Sequence, residues 1–322
     1  MEFSLAADLK NSYGIVCHKA TPVTGGYMNQ KWKVSSNQGD LLVKQFSPER
    51  FDREKLKSVE SALQRQIILA KNGGSCPAVW THQGRAIRLA DEKTAYMVMD
   101  FLPGKMETPA TSTSRQLYTL GGACGFMHKT FSRLPVGGVK GYPIEIRRII
   151  VSLWNNFYAR KRDSASDVSG QYQKAVLDQE AILKQLTTGF FDRLPQGIAH
   201  EDFSGDNILF LPDDAAAIVD FDRSQYSFVW HDIGRVLLSL TLEEERLNLS
   251  KIQAFLDGYS EHLPLNMQNI ADALRLCWYL EIPWWIQPKF FREDANEKTV
   301  RFKNEMLWLT KHWKELDTML GL

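Results

Sequence analysis

The chain has 322 residues, 44% of them hydrophobic and 24% charged, with a formal net charge of +1. This length exceeds a single typical core and favours two lobes, while the composition is that of an ordinary soluble globular protein. A charge this close to zero gives no electrostatic basis for binding nucleic acid, and no apolar run reaches the ~20 residues of a membrane span. The N-terminus lacks the basic residues of a signal peptide and the four cysteines form no C-x-x-C pair, so we expect reduced thiols and a cytoplasmic protein.

Short apolar runs in the first hundred residues predict β-strands. The predicted strands cover residues 16–23, 31–35, 41–46, 77–80, 86–89 and 94–100. Lys44 lies inside the apolar run 41–46, where a single ammonium can reach the phosphates of a nucleotide. Gly25 and Gly26 follow the first strand and offer a backbone without side chains, which can approach a phosphate closely.

A helix is predicted over residues 51–72. Val59, Leu63 and Ile67 recur at a spacing of one helical turn, and the sequence Asn-Gly-Gly from residue 72 is a stop signal. A helix packed behind the third strand could supply an acid that orients Lys44. Glu60 is the preferred candidate and Glu54 is the alternative.

The strand 94–100 is followed by a Pro-Gly step, which is typical of a hinge leaving one lobe. The backbone around Met99, Asp100 and Phe101 is therefore a candidate for hydrogen bonding to an adenine edge. Beyond Gly104 the pattern becomes helical. We expect an N-terminal nucleotide-binding lobe over residues 1–100 and a helical catalytic and acceptor-binding lobe over 101–322.

The most informative spacing is His-x-Asp-x-x-x-x-Asn, formed by His200, Asp202 and Asn207, followed by Asp-Phe-Asp from Asp220. Phosphoryl transfer from a nucleotide needs a carboxylate facing the incoming hydroxyl and oxygen ligands that hold magnesium against the phosphates. Asp202 fits the first role. Asn207 and Asp220 fit the second.

The segment between these residues supports the assignment. Residues 208–211 and 215–219 read as two short strands joined by a Pro-Asp-Asp turn, and such a hairpin brings Asn207 and Asp220 side by side at its open end. Magnesium prefers this all-oxygen environment. Asp222 remains a second candidate ligand, and Asp220 is preferred because it ends the apolar run of the returning strand.

The residues after the hairpin bear on the acceptor. Asp232 lies near the start of a predicted helix, where it can cap that helix and accept N–H bonds from the catalytic loop. Nine residues separate Asp222 from Asp232, and no Ala-Pro-Glu motif follows, whereas protein kinases carry a long activation segment there. A small hydroxyl-bearing acceptor is therefore favoured over a protein.

Taken in order, the strand lysine, the hinge, the His-x-Asp-x-x-x-x-Asn motif and the Asp-Phe-Asp motif resemble the aminoglycoside phosphotransferase and choline kinase-like superfamily. The resemblance covers nearly the whole chain. Within the superfamily the chain is most similar to the bacterial spore-coat-associated kinase-like branch, an assignment that uses residues 200–207, 219–222, the pair His231-Asp232 and Ile-Pro-Trp-Trp at 282–285.

The resemblance implies an α+β, bilobal protein-kinase-like fold with a small antiparallel-sheet lobe and a larger helical lobe. It implies ATP and Mg²⁺ as cofactors, Asp202 as the base, Asn207 and Asp220 as metal ligands and Lys44 on the phosphates. His200 and Asp232 would support the loop. Glu201 departs from the glycine that aminoglycoside-modifying relatives usually have. The alternative function is a catalytically degenerate kinase-like binding or structural protein of the spore-coat type.

Overall fold

The computed structural model describes residues 3–23, 29–91, 94–167 and 170–322. The chain forms two compact units, and each is built from two stretches of sequence. The N-terminal unit comprises Met1–Met106 and Asn207–Ser224, and the C-terminal unit comprises Glu107–Asp206 and Gln225–Leu322. This division differs from the single boundary expected at residue 100, because the hairpin that carries Asn207 and Asp220 packs with the N-terminal stretch.

The strands of the described residues are β1 (Cys17–Pro22), β2 (Gln30–Ser36), β3 (Gly39–Phe46), β4 (Val79–Trp80), β5 (Ile87–Leu89), β6 (Ala95–Asp100), β7 (Gln196–Ala199), β8 (Ile208–Phe210), β9 (Ala216–Ile218), β10 (Gln225–Phe228), β11 (Leu242–Glu243) and β12 (Arg246–Leu247). The helices are α1 (Phe3–Tyr13), α2 (Arg53–Lys71), α3 (Ser114–Phe131), α4 (Ile146–Ser164), α5 (Gln171–Leu177), α6 (Glu180–Leu183), α7 (Thr188–Asp192), α8 (Trp230–Thr241), α9 (Leu249–Ser260), α10 (Met267–Trp285), α11 (Glu297–Lys311) and α12 (Leu316–Met319). No helix within these ranges is long and apolar enough to cross a membrane.

The N-terminal unit is built on an antiparallel sheet with the order β1-β2-β3-β6-β4, in which β5 also pairs with β6. Its two faces carry separate apolar clusters. Leu5 and Leu9 of α1 belong to the cluster that includes Val43, and Val59 and Leu63 of α2 belong to the other. Because side chains alternate along a strand, Lys44 points to the face covered by α2.

Helix α2 follows the sequence prediction closely. The side chain of Asp52 caps its first turn by accepting the backbone N–H of Lys55 at 2.8 Å. Its apolar stripe faces the sheet, and Gly73 then adopts a positive φ of 86° at the end of the helix. A residue with a side chain is strained at such an angle, which explains why glycine stops the helix there.

Close helix packing organises the C-terminal unit. A Cβ added to Gly121 of α3 would lie 2.0 Å from the carbonyl oxygen of Phe255, and one added to Gly258 of α9 would lie 2.0 Å from that of Tyr118. The two helices therefore approach at a distance that only glycine permits. In the same unit β7 pairs with β10. His200 is the residue that follows the end of β7.

Candidate active site

The predicted hairpin is present in the N-terminal unit. Strands β8 and β9 pair in antiparallel register, with Ile208 opposite Ile218. The N–H of Val219 then donates to the carbonyl of Asn207 at 3.0 Å, which closes the open end of the hairpin. Asp220 follows immediately and adopts the left-handed conformation, with φ 64° and ψ 58°. The backbone geometry therefore brings Asn207 next to Asp220.

Lys44 contacts both aspartates of the Asp-Phe-Asp motif. Its ammonium donates to Oδ1 of Asp220 at 2.7 Å and to Oδ2 of Asp222 at 2.5 Å. The Lys44 side chain is 3% exposed, whereas those of Asp222 and Asp220 are 14% and 27% exposed. The cluster is thus deepest at Lys44 and most accessible at Asp220.

These contacts set the protonation states of the cluster. Burial alone would lower the pKa of Lys44, but the carboxylates of Asp220 and Asp222 outweigh it and raise that pKa above its ordinary value. Burial also opposes ionisation of Asp220, yet the ammonium of Lys44 and, after it, that of Lys31 hold the pKa of this carboxyl well below its usual range. For Asp222, burial and the neighbouring charge of Asp220 raise the pKa despite Lys44. Asp220 is the better anionic ligand for a cation.

The expected pair between Lys44 and a glutamate of α2 does not form. Glu60 instead accepts the backbone N–H groups of Ala86 at 2.9 Å and Ile87 at 2.8 Å, and its side chain thereby fixes the start of β5. Glu54 pairs with Lys57 at the exposed beginning of α2. Lys44 is oriented by Asp220 and Asp222, so the assignment of Glu60 as its partner is corrected.

The residue of α2 that reaches the Asp-Phe-Asp segment is Arg65. Its buried guanidinium donates to the carbonyl oxygen of Ser224, just beyond the short 3-10 turn Phe221–Arg223. Sequence reasoning missed this contact because it sought an acid on α2. The available signal was an arginine on the same face as the apolar residues Ala62 and Leu69, all of which are buried.

Lys31 was also missed. It lies directly opposite Lys44 in the β2–β3 register, and its ammonium is 3.3 Å from Oδ2 of Asp220. The alternation of β2 gave a signal: Trp32 and Val34 face the apolar cluster of α1, which places Lys31 on the opposite face.

Backbone N–H groups at the strand exit form hydrogen bonds within the N-terminal unit. The N–H of Asp100 donates to the carbonyl of Ala78 at 3.0 Å and that of Phe101 to the carbonyl of Asp40 at 3.1 Å. Met99 is paired on both sides, with Leu42 of β3 and Val79 of β4. The N–H groups of Asp100 and Phe101 are therefore used within the unit, and a contact of the backbone around Met99, Asp100 and Phe101 to an adenine edge stays a prediction. Gly25 and Gly26 lie outside the described residues.

The C-terminal unit contains the first half of the motif. Asp232 accepts the backbone N–H of His200 at 2.7 Å and that of Glu201 at 2.9 Å, as expected for a residue that supports this loop. The Nδ1 atom of His200 in turn accepts the N–H of Asp202 at 3.3 Å. A chain of hydrogen bonds thus runs from Asp232 to the backbone of Asp202.

Asp232 is itself fixed by its surroundings. It is fully buried, and Nε2 of His128 in α3 lies 3.1 Å from its Oδ2. Burial favours the neutral carboxyl, but the hydrogen bond from His128 and the charge interactions with His128 and His200 hold the pKa of Asp232 below its ordinary value. The anionic form is therefore the one that accepts the two N–H groups.

Glu201 stands in an unusual conformation beside Asp202. Its φ of 66° lies in the left-handed region, which costs a non-glycine residue about 1–2 kcal/mol. Its carboxylate is compensated by His231, whose Nδ1 lies 3.3 Å away, while Nε2 of His231 lies 3.2 Å from Glu281. Although burial opposes it, the hydrogen bonds of Cys277, Glu201 and Glu281 raise the pKa of His231 well above its ordinary value.

Potential ligand atoms of His231, Cys277 and Glu281 lie within 4.8 Å of one another, which is a spacing compatible with a metal ion. Their polar atoms already have protein partners, however. Arg235 donates to Glu281 at 3.2 Å and Trp285 donates to it at 2.6 Å. A cation would have to displace the guanidinium of Arg235, so we interpret this cluster as a buried ion network.

The family of the chain follows from comparison with known proteins. Residues 19–265 match the model of the phosphotransferase enzyme family, which is the family of aminoglycoside phosphotransferases. The match covers the sheet of the N-terminal unit from Lys19 onward, both halves of the motif and Asp232. The chain therefore belongs to the phosphotransferase enzyme family.

Bacterial relatives of this chain carry the name homoserine kinase. The chain is 27% identical over 204 residues to the protein from Bradyrhizobium sp. strain BTAi1, a match that covers 63% of this chain and 59% of the relative. It is 25% identical over 276 residues to the protein from Rhodopseudomonas palustris strain BisA53, covering 85% of this chain and 78% of the relative. The first match thus spans little more than half of the relative's length. Neither name supports the expected spore-coat-associated branch.

The fold is shared with a solved kinase. The amicoumacin kinase hAmiN, in complex with AMP-PNP, Ca²⁺ and Ami, superposes with a TM-score of 0.61 at 17% identity, over 94% of this chain and 92% of that one. The expected α+β, kinase-like fold is confirmed.

Proposed function

We propose that the protein is an ATP- and Mg²⁺-dependent phosphotransferase that moves the γ-phosphate to a hydroxyl group of a small molecule. The observation that carries the proposal is the assembly of Lys44, Asp220 and Asn207 in one unit from distant parts of the sequence. Such a set of one buried ammonium and adjacent oxygen donors is what phosphoryl transfer requires.

The residues present fit a magnesium ion. Asn207 and Asp220 offer an amide oxygen and a carboxylate from adjacent positions of the hairpin, and Asp220 is the more exposed and more acidic of the two aspartates. These are hard oxygen donors of the type that Mg²⁺ prefers. When bound, the ion would neutralise charge on the transferred phosphoryl group. Lys44 would hold the nucleotide phosphates, and the backbone of the strand exit, residues 99–101, would bind the adenine edge.

Asp202 serves as the general base in this proposal. It takes the proton of the acceptor hydroxyl as the oxygen attacks the γ-phosphorus, and the bond to the β,γ-bridging oxygen breaks, so that ADP leaves. Asp232 and His200 act as positioning residues, since they bind the backbone of the loop that carries Asp202.

A small amino alcohol or hydroxy amino acid is the proposed acceptor class. The relatives' name gives homoserine as the first compound to test. Glu201, where aminoglycoside-modifying relatives usually have glycine, disfavours an aminoglycoside. The proposal includes a cytoplasmic location, because ATP is abundant in that compartment.

One observation favours a second candidate, a kinase-like protein that binds nucleotide without turnover. Lys44 is bonded to both aspartates and has no glutamate partner on α2 among the described residues. A spore-coat role would be one such function, and it stays a prediction.

Two measurements test the proposal. A thermal shift on addition of ATP, larger with Mg²⁺ than without it, is expected for a nucleotide-binding unit of this kind. Release of ADP is then measured against a panel of amino alcohols, hydroxy amino acids and sugars, with homoserine included. Absence of any ATP-dependent shift rejects both candidates. Binding without turnover on an untargeted metabolite extract supports the second one.

A further inference from the structure

Two lysines share one carboxylate in the N-terminal unit. Lys31 and Lys44 face each other across β2 and β3, and their ammonium groups bond different oxygens of Asp220, at 3.3 Å to Oδ2 and at 2.7 Å to Oδ1. Both oxygens of the proposed metal ligand are therefore engaged by cations. Lys31 is the more accessible lysine, with 22% of its side chain exposed against 3% for Lys44.

The charges of this cluster balance without a ligand. Lys31 and Lys44 contribute two positive charges, and Asp220 and Asp222 contribute two negative charges when ionised. A divalent cation arriving alone would have to displace an ammonium from Asp220 and would leave the cluster with an excess of two positive charges, because Asp222 compensates only Lys44. Repulsion at such short distances is costly where the groups are partly shielded from water.

A nucleotide changes this balance. The polyphosphate of ATP brings several negative charges and acceptor oxygens, to which an ammonium can transfer its hydrogen bonds. An ammonium that leaves Asp220 for a phosphate oxygen frees a carboxylate oxygen for the cation. Lys31 is suited to this exchange because its bond to Asp220 is the longer of the two and its side chain reaches solvent.

We propose that Lys31 is a second phosphate-binding cation, which occupies Asp220 until a polyphosphate is present and so makes divalent-cation binding dependent on the nucleotide. This inference rests on the proposed function, since it concerns the same nucleotide site. Lys31 of β2 thus acquires a role in the site, and the divalent cation and the nucleotide are expected to bind together.

The chain supplies a matched control in Lys33. It lies two residues along β2 on the same face, but its ammonium pairs with Asp40 at 2.8 Å rather than with the Asp-Phe-Asp motif. Lys33→Met therefore removes the same charge from the same strand while leaving Asp220 untouched. Lys31→Arg keeps the charge and tests rescue.

The experiment uses the full chain and three separate titrations. Binding of Mn²⁺ alone is followed by the electron paramagnetic resonance signal of the free ion, binding of ATP in EDTA by calorimetry, and binding of ATP with Mg²⁺ by calorimetry. For Lys31→Met we expect Mn²⁺ alone to bind about 10-fold more tightly and ATP in EDTA about 10-fold more weakly, from the usual strength of a charged hydrogen bond. Lys33→Met should match the wild type, and Lys31→Arg should restore both affinities to within about 3-fold.

The expected signature is an increase in Mn²⁺ affinity together with a decrease in ATP affinity. A variant with a damaged fold would instead weaken the binding of both. Mn²⁺ affinity that falls or stays unchanged in Lys31→Met overturns the inference, as does equal behaviour of Lys31→Met and Lys33→Met. A wild-type protein that binds no ATP overturns the proposed function as well. If the wild type binds ATP and Lys31→Met changes neither the Mn²⁺ affinity nor the ATP affinity, only the inference about Lys31 is overturned.

Discussion

Lys44 and Asp222 form an ion pair of 2.5 Å between Nζ and Oδ2, although 178 positions separate them in the sequence. The pair joins β3 of the sheet to the segment after the hairpin, and Asp220 completes it from the other side at 2.7 Å. The carboxylate that orients Lys44 therefore comes from the segment after the hairpin, and not from α2 as the sequence predicted. The two aspartates differ in exposure and in the direction of their pKa shifts, and this difference supports the separate roles proposed for them.

Asp220→Asn is expected to abolish most of the Mg²⁺-dependent gain in ATP affinity, because a neutral amide is a weak ligand for a hard cation. Asp222→Asn should instead lower thermal stability, since the buried Lys44 loses a partner. Calorimetric titrations with ATP, with and without Mg²⁺, and thermal melts of both variants provide the measurement. Survival of the Mg²⁺-dependent gain in Asp220→Asn would identify Asp222 as the ligand.

Asp202→Asn is expected to reduce turnover by about 10²- to 10⁴-fold, which is the usual contribution of a positioned general base. Nucleotide affinity should stay nearly unchanged, since Asp202 is not a proposed ligand of ATP or metal. Asp213→Asn, in the exposed turn of the hairpin, is the control and should leave turnover intact. Equal turnover of wild type and Asp202→Asn would remove the residue from the mechanism.

Glu60→Gln should lower the free energy of unfolding by about 1–2 kcal/mol, because the amide can no longer accept both N–H groups at the start of β5. ATP affinity should not change, since Glu60 does not pair with Lys44. Chemical denaturation and ATP titration are compared for Glu60→Gln and for Glu54→Gln, whose glutamate is exposed. A selective loss of ATP affinity in Glu60→Gln would restore the pairing expected from sequence.

Gly121→Ala is expected to destabilise the protein by about 2–3 kcal/mol, because its Cβ would meet the carbonyl oxygen of Phe255 at 2.0 Å. Such a loss corresponds to a fall in melting temperature of about 3–4 °C for a chain of this size. Gly122→Ala is the matched control, since its Cβ would find only the Gly258 oxygen at 3.8 Å. The control should be neutral or more stable, as alanine is the better helix former by about 1 kcal/mol.

The ion network of His231 predicts a pH dependence. Its folded pKa is raised by Cys277, Glu201 and Glu281, so the native state holds a proton that the unfolded chain releases near pH ~6.5. The resulting stability is fully present below that value and is lost as pH rises towards the raised folded pKa. Relative to His231→Gln, the wild type should therefore have its largest stability advantage at pH 6 and a smaller one at each higher pH. Denaturant melts over this range measure it, and an advantage that grows with pH would contradict the network.

Local signals in the sequence were sufficient to predict individual helices and strands. The helical spacing of Val59 and Leu63 with the glycine stop predicted α2, and the two short apolar runs around a Pro-Asp-Asp turn predicted the β8–β9 hairpin. These predictions succeeded because hydrophobic periodicity and turn chemistry act over a few residues. The same locality explains why the sequence alone places Asn207 and Asp220 side by side.

The division into units and the partners of each charge were decided only by tertiary structure. Residues 207–224 pack with the N-terminal stretch, and Lys44 pairs with Asp220 and Asp222 rather than with Glu60. The sequence by itself determined which residue types were available, their spacing and the elements that carry them. Which carboxylate meets which ammonium depends on how those elements pack, because ion pairs between distant residues form only after their backbones are fixed by contacts that no short window of sequence contains.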